Sequence, residues 1–517
     1  MKKRILLILT LVFISIGLIA CKNDKPIEEP NHYEELLEAH PNNDIYYQIF
    51  VRSFADSNDD GIGDLNGITN KLDYLSNLGV TALWLTPIHP SDSYHGYEVK
   101  DYYAINPDFG TMDDFDNLIK EAKKKDIKII MDTVFNHSSD QTTWYQEALN
   151  DVNSKYREFY LWRSNTPGQE AYETFPYSRD LNLKSEALKK ELLKVLEFYL
   201  EKGVAGFRFD AVKHFFIKPF DSNYSSNPNY EGGMLLRYFK QNLRQKYPDV
   251  YFVGEYFDYS INPYQDIYLG SNSMFNFEIS KMFQDGNYAS LQSSINRIYS
   301  TLDGFNPNAI DAPFITNHDL NRFGSMQQDP EKQKLAARIL LTLPGNPFIY
   351  YGEELGMKGE RIEGGTLPGY VDKDGEPIVI YDEPRRQSFV WGGDDEAMTT
   401  WFPLMQGNEH LPGASVQQTK EDSLFNTYKE MIKIRKETPA LRFGKNITRV
   451  DSIPGTVAFI KEIKTENYSQ IVLVVHNVVN QTREVNYQVI KDIYGSKTLA
   501  PGQTYIAEIK STTLQPE

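Results

Sequence analysis

Three carboxylates stand in short polar stretches that each close an apolar run: Asp210, Glu255 and Asp319. The first lies in 206–214, Gly-Phe-Arg-Phe-Asp-Ala-Val-Lys-His. Side chains alternate faces along a strand, so Arg208 and Asp210 point one way and Phe207 and Phe209 the other. A carboxylate beside a fixed guanidinium has its pKa lowered and stays ionised, as a carboxylate nucleophile requires. A purely structural Arg–Asp pair would have the same spacing. What favours chemistry is the company: two further acids at the ends of other apolar runs, with His137 and His318 beside them. An ionised Asp, a Glu whose pKa neighbouring negative charge raises, and a third carboxylate suit cleavage of a glycosidic bond. The Asp attacks the anomeric carbon. The Glu protonates the leaving oxygen and then activates water, while the third acid holds sugar hydroxyls and stabilises an oxocarbenium-like transition state.

The elements that would position these groups alternate along the chain. Short, nearly all-apolar strands are expected at 45–50, 80–85, 127–131, 205–209, 251–254, 273–277, 312–316 and 347–351. Helical faces stand between several of them, as at Leu65, Ile68, Leu72, Leu75 and Leu78. Buried strands alternating with helices imply a parallel sheet covered by helices, and eight such repeats over about 400 residues imply an α/β fold with a closed (β/α)8 barrel. The acids then fall at the C-terminal ends of barrel strands, the face where such folds build their sites. No Gly-rich phosphate-binding sequence follows the first strand, which weakens a nucleotide-binding reading. Residues 138–183 interrupt the rhythm with many aromatics and no clean helix, and are expected to form an inserted domain over the active face. The irregular stretch 359–398 could wall another side of the cleft. A helix over 424–436 ends before Pro439, and alternating runs at 447–450, 457–463, 471–476 and 483–487 predict a C-terminal β-sandwich. The expected division is a barrel from 44–137 and 184–440, the insertion 138–183, and a sandwich domain 441–517.

Of 517 residues, 54 are basic and 71 acidic, giving a net charge of −17 that argues against nucleic acid as a partner. Residues 1–21 read as a lipoprotein signal peptide. Lys2, Lys3 and Arg4 precede an uncharged run too short to span a membrane comfortably, ending Leu-Ile-Ala-Cys at Cys21. Cys21 is the only cysteine, so no internal disulfide can form, and lipidation would account for it. Residues 22–43 read as a charged, proline-punctuated tether. The protein is therefore expected to be exported, held to a bacterial cell membrane through its lipid alone, and monomeric. One further motif, Asp-Ser-Asn-Asp-Asp-Gly-Ile-Gly-Asp at 56–64, offers Asp56, Asn58, Asp60, the Ile62 carbonyl and Asp64, with glycine at position six. That is a calcium loop, and Gly67 at position twelve, where an EF-hand has Glu, excludes the helix–loop–helix version. No organic cofactor is expected.

Four stretches in order, 132–137, 206–214, 254–255 and 314–319, resemble the diagnostic regions of glycoside hydrolase family thirteen, the α-amylase family. The resemblance covers about residue 45 to the end. It implies that Asp210 is the nucleophile of a retaining double displacement, Glu255 the general acid/base and Asp319 the transition-state stabiliser. It implies that Arg208 orients Asp210, that His137 and His318 bind the sugar at the cleavage position, and that Tyr97 in His-Gly-Tyr is its stacking platform. Lys213 and His214 match positions lining the reducing-end side. Loop 56–64 is similar to a calcium site of oligo-1,6-glucosidases and neopullulanases, and Asn136 matches a ligand of a different calcium site in many α-amylases. The sequence resembles the group between those two enzymes, but 178–182 reads Ser-Arg-Asp-Leu-Asn, and its first two residues match neither. Ala211, Lys213 and His214 lean toward internal cleavage of α-1,4-glucans. The alternatives are an α-glucosidase, oligo-1,6-glucosidase or transglycosylase and, remotely, a non-catalytic glycan-binding lipoprotein.

Overall fold

The computed structural model describes residues 32–175, 178–371, 375–392 and 395–516. The signal peptide, Cys21 and the first part of the tether lie outside these. Eight strands form one sheet: β1 (Tyr46–Ile49), β2 (Ala82–Leu85), β3 (Lys128–Thr133), β4 (Gly206–Phe209), β5 (Tyr251–Gly254), β6 (Ser273–Phe275), β7 (Ile310–Ala312) and β8 (Phe348–Tyr350). Every neighbouring pair is parallel, β1 pairs with both β2 and β8, and a single parallel bridge from Phe314 to Phe348 closes the ring. The result is a (β/α)8 barrel.

Alternation along the strands sorts side chains into two cores. Tyr46, Trp84, Ile130, Tyr251, Phe275, Ala312 and Phe348 fill the inside, with Tyr46 stacked on Phe348 at 4.4 Å. Tyr47, Leu83, Ile129, Phe207 and Phe209 face the helical layer. Arg208, between those two phenylalanines, therefore points inward, with its guanidinium 5.1 Å from the Trp84 ring. The face separation expected for 206–214 is the one found.

Several expectations change. The sixth strand stops at Phe275, because Asn276 caps the helix Phe277–Gln284 by accepting from the Ile279 amide. The seventh lies earlier than 312–316, since Pro313 has no N–H to continue the ladder past Ala312. The end of the tether is a helix, His32–Ala39, with Leu36 buried, Tyr33 donating to the Lys436 carbonyl and His40 stacked on Phe443. The insertion carries a helix at Thr143–Asn150, capped by Thr142, and an antiparallel ladder of His137–Ser139 with Ser178–Asp180.

Beyond the helix Leu424–Glu437, β9 (Asn446–Arg449), β10 (Thr456–Lys464), β11 (Ser469–Asn477), β12 (Lys491–Tyr494) and β13 (Thr504–Glu508) form an antiparallel sheet in the order β9-β10-β11-β13-β12. The expected strand at 483–487 is only Arg483–Glu484, paired with Thr498–Leu499 in a small second sheet. Val485 and Leu499 pack with Leu473, Val475 and Tyr505 in one apolar cluster. No helix among the described residues is long and apolar enough to cross a membrane.

Candidate active site

At the C-terminal ends of the barrel strands opens a cleft of about 520 Å³. Tyr97, His137, Asp210, Lys213, His214, Glu255, His318 and Asp319 all line it, and Arg208 lies fully buried beneath. Residues far apart in sequence meet because each ends, or closely follows, a barrel strand. The register sets Asp132 on β3 beside Arg208 on β4, and Phe209 beside Gly254, the residue before Glu255.

Arg208 is the hub. Its Nη1 donates to Asp210 at 2.5 Å and to Asp132 at 2.9 Å, and its Nη2 lies 4.0 Å from Glu255. One guanidinium thus serves two carboxylates, Asp132 fully buried and Asp210 14% exposed, and this corrects an expectation. Burial pushes the Asp210 carboxyl above its ordinary value, against the lowering pull of Arg208. Asp132, which also accepts from Trp84 and the Tyr97 hydroxyl, is pushed up to about 7, mainly by burial.

Asp210 is followed by a backbone device. Ala211 adopts a left-handed conformation (φ 45°), rare for a residue with a Cβ. Its amide donates to Glu255 Oε2 at 2.9 Å, and the next amide, of Val212, donates to the Glu255 carbonyl. The turn after one acid therefore positions the other. Glu255 is raised to about 8, as expected in direction, but burial is the largest cause and the charges of Asp210 and Asp319 come after it. Its protonated form persists to neutral pH. Asp319, 41% exposed to the cleft, goes the other way: burial would raise it, but His318, Arg386 and Arg208 outweigh that and hold it below its ordinary value.

Burial lowers both histidines, to about 4 for His137 and about 3 for His318. His318 Nε2 lies 2.7 Å from the Tyr97 hydroxyl and 3.3 Å from Asp319, its Nδ1 is 2.7 Å from Gln48, and its ring is parallel to that of Tyr97. His137 Nε2 meets the Tyr97 carbonyl at 3.0 Å and Nδ1 meets Asn136. In this structure the ring nitrogens of both histidines hold protein partners. Lys213 reaches the Phe257 carbonyl (3.4 Å) and Asp258 (3.7 Å), and His214 packs edge-on to Phe175.

Asp132, Arg386 and Asp382 are site residues that were not singled out from sequence. Asp132 opens the motif 132–137, and its inward position beside Arg208 was the available signal. Arg386, from the irregular stretch 359–398, donates to Asp319 (3.2 Å), the His318 carbonyl (3.1 Å) and the Tyr94 hydroxyl (2.8 Å). With Asp382, 3.7 Å away, it walls the cleft from that side. No pattern in sequence announces it, because it acts through tertiary contacts alone.

The second cation suggested by Asn136 has an internal occupant. Lys218 Nζ, fully buried, donates to Asn136 Oδ1 at 3.1 Å and to Asp180 Oδ1 at 2.9 Å. Asp180 comes from the insertion and also accepts from Thr174. An ammonium thus ties the insertion to the barrel.

Loop 56–64 turns at Gly61, whose φ of 87° is the left-handed conformation that position six requires. Asp56 accepts from the amides of Asn58, Asp59 and Gly61, Asp60 from that of Ile62, and Asp64 from Ser57 and Gly67. Among the described residues no ion pair joins these acids to a Lys or Arg. Five oxygen donors with no internal cation suit a hard divalent ion. Among the described residues, though, no three acidic, His or Cys side chains converge as a metal cluster. A bound ion would have to draw the carboxylates inward.

The family model for the α-amylase catalytic domain matches residues 48–444. Alpha-amylase 3 of Dictyoglomus thermophilum is 36% identical over 90% of this chain and 93% of its own. The glucan 1,6-alpha-glucosidase of Streptococcus pneumoniae is 31% identical over 90% of this chain and 98% of its own. Among solved structures, the alpha-amylase from H. orenii superposes with a TM-score of 0.76 at 32% identity, over 90% of this chain and 99% of that one.

Proposed function

Because the chain belongs to the α-amylase family of glycoside hydrolases, we propose that it cleaves α-1,4-glucosidic bonds inside starch and maltooligosaccharides, with retention of configuration. Asp210 attacks the anomeric carbon as Glu255 gives its proton to the leaving oxygen, forming a glycosyl–enzyme ester. Glu255, now ionised, takes a proton from water, which attacks the same carbon and frees Asp210. Asp319 holds sugar hydroxyls as charge develops on the ring, and Tyr97 offers it a flat face. Arg208 keeps Asp210 and Asp132 oriented through one nitrogen. The observation that carries this reading is the meeting of three strand-end acids around one buried arginine, with one acid below its ordinary pKa and one at about 8.

Internal action is supported by Ala211, Lys213 and Phe257, which line the cleft together with the acids. A second reading, an exo-acting α-glucosidase or oligo-1,6-glucosidase, is favoured by the Arg386–Asp382 wall and by the relative named glucan 1,6-alpha-glucosidase. Early products separate them. Maltoheptaose and amylose should yield mixed maltooligosaccharides at low conversion, and isomaltose should be a poor substrate. Glucose as the sole early product, or rapid isomaltose cleavage, would establish the second reading instead.

Two attributes complete the proposal. Loop 56–64 is the expected calcium site, its role structural, since the loop lies away from the residues lining the cleft. An ion bound only by the folded protein stabilises it by mass action, by about 2.7 kcal/mol at a hundredfold excess over Kd. Chelation should therefore lower Tm by several degrees, restored by calcium and not by magnesium; no shift, with no metal in elemental analysis, removes the site. Cys21 is the proposed lipid attachment point of an exported protein. Cys21→Ser should move the protein from the membrane to the soluble fraction, and an unchanged distribution would exclude lipid anchoring.

A further inference from the structure

We propose that a cavity at the floor of the barrel, at the end opposite the catalytic cleft, is an anion site that takes a phosphate group, free or carried by a phospholipid headgroup. The site stands apart from the glucan reading and shares no residue with the cleft.

The cavity, of about 440 Å³, lies where strands begin rather than end. Asn43 precedes β1, Ile310 opens β7 and Gly345 precedes β8, and all three line it. Its other walls are the helix Tyr288–Phe305 and the segment 442–447, which runs into β9.

Five cations gather here in a chain whose net charge is −17. Arg442 and Lys445 line the cavity itself. Arg435 and Lys461 are buried beside it, Arg435 donating to the Gly345 carbonyl at 2.6 Å and Lys461 to that of Leu441 at 2.7 Å. Lys436 reaches the Gly79 carbonyl. Among the described residues none of the five forms an ion pair with a carboxylate. Lys445 donates to the Pro307 carbonyl, and Arg442 to the Tyr33 hydroxyl and the Asn43 carbonyl. Such partners satisfy N–H groups but leave the net charge uncompensated. The cations oppose one another: after burial, Arg442 lowers Arg435 and Lys436, and Arg435 lowers Lys461. A helix C-terminus favours cations, which accounts for Arg435 and Lys436 in the last turn of Leu424–Glu437. It does not account for Lys461 on β10 or for Lys445 beyond the last helix. What the cluster lacks is a counter-ion.

The cavity supplies room and geometry for one. Arg442 offers a planar fork and Lys445 a mobile ammonium, a combination that suits phosphate oxygens. Asp303 and Asp311 share the wall, but Asp303 is exposed, and Asp311 is raised to about 7, mainly by burial. Leu302, Ile310 and Ile447 can cover the carbon skeleton that carries the phosphate. The proposed anchor supplies one source. Tyr33, bonded to Arg442, lies on the helix His32–Ala39, and His32 stands eleven residues after Cys21, at most about 40 Å of chain. A lipid on Cys21 would keep the floor within reach of membrane phosphates.

The test is calorimetric titration of inorganic phosphate into the full chain, with ionic strength held constant by sodium chloride. One site with a Kd of about 1 mM is expected. Lys445→Gln, at an exposed position, should weaken it about tenfold. Asp303→Asn, which removes an acid from the wall, should tighten it. Turnover of maltooligosaccharides should be unchanged in both variants, which shows that they fold. No binding at a tenfold excess over that Kd, or a Kd indifferent to both substitutions, overturns the site. Glycerol 3-phosphate and glucose 1-phosphate separate the sources. Tighter binding of the first assigns a lipid headgroup, and tighter binding of the second a free sugar phosphate.

Discussion

Asp210→Asn is expected to lower kcat on maltooligosaccharides by about 10⁴-fold or more while the protein remains folded. The amide cannot attack the anomeric carbon, and no other side chain replaces it: Asp132 is buried below, behind Arg208, and Asp319 is held by Arg386. Folding should survive because Arg208 keeps Asp132 as a counter-ion and removing Asp210 relieves one of two crowded carboxylates. A structural Arg–Asp pair makes the opposite forecast, a marked fall in Tm with turnover largely retained. Measuring kcat and Tm on one preparation decides between them.

Glu255→Gln carries the second large effect. General acid catalysis contributes about 10²–10⁴-fold, so hydrolysis of maltooligosaccharides should fall by that much. An aryl glucoside with a good leaving group needs little protonation, and its first step should fall far less. The pH profile adds a direct reading. Glu255 must be protonated to act as acid, and burial lifts it to about 8, so wild-type kcat/KM should decline above about pH 8. Asp210 must be ionised, and burial raises it too, so the acid limb should lie above the ordinary carboxylate range. In Glu255→Gln the alkaline limb should vanish and the acid limb remain. A retained alkaline limb would assign it to another group, and Asp132, at about 7, is the nearest candidate.

Much of this architecture was legible from local pattern. Short apolar strands alternating with helices gave the barrel, and period-two alternation placed Arg208 inward between Phe207 and Phe209. The acids at strand ends followed from the same periodicity. Sequence misled where tertiary context decides. It took Arg208 as lowering Asp210, because adjacency shows an attractive partner and hides both burial and the competing Asp132. It put the seventh strand too late, passing over what Pro313 does to a ladder. It read the end of the tether as linker, although Leu36 and Tyr33 dock it onto the body of the protein. Asn136 matched a metal ligand by motif, but its partner is Lys218, some eighty residues away in an irregular loop. Arg386 had no local signature at all; only the folded return of 359–398 brings it to Asp319.

At the centre stands a double displacement in which Asp210 takes up the glycosyl group as a covalent ester while Glu255 gives one proton to the leaving sugar and takes one back from water. Proton NMR of the anomeric signals in the first minutes of maltoheptaose hydrolysis tests it most directly, before mutarotation mixes the products. The new reducing ends should appear as the α-anomer, inverted once by Asp210 and once by water. First appearance of the β-anomer would mean a single displacement by water, and would contradict the role given to Asp210.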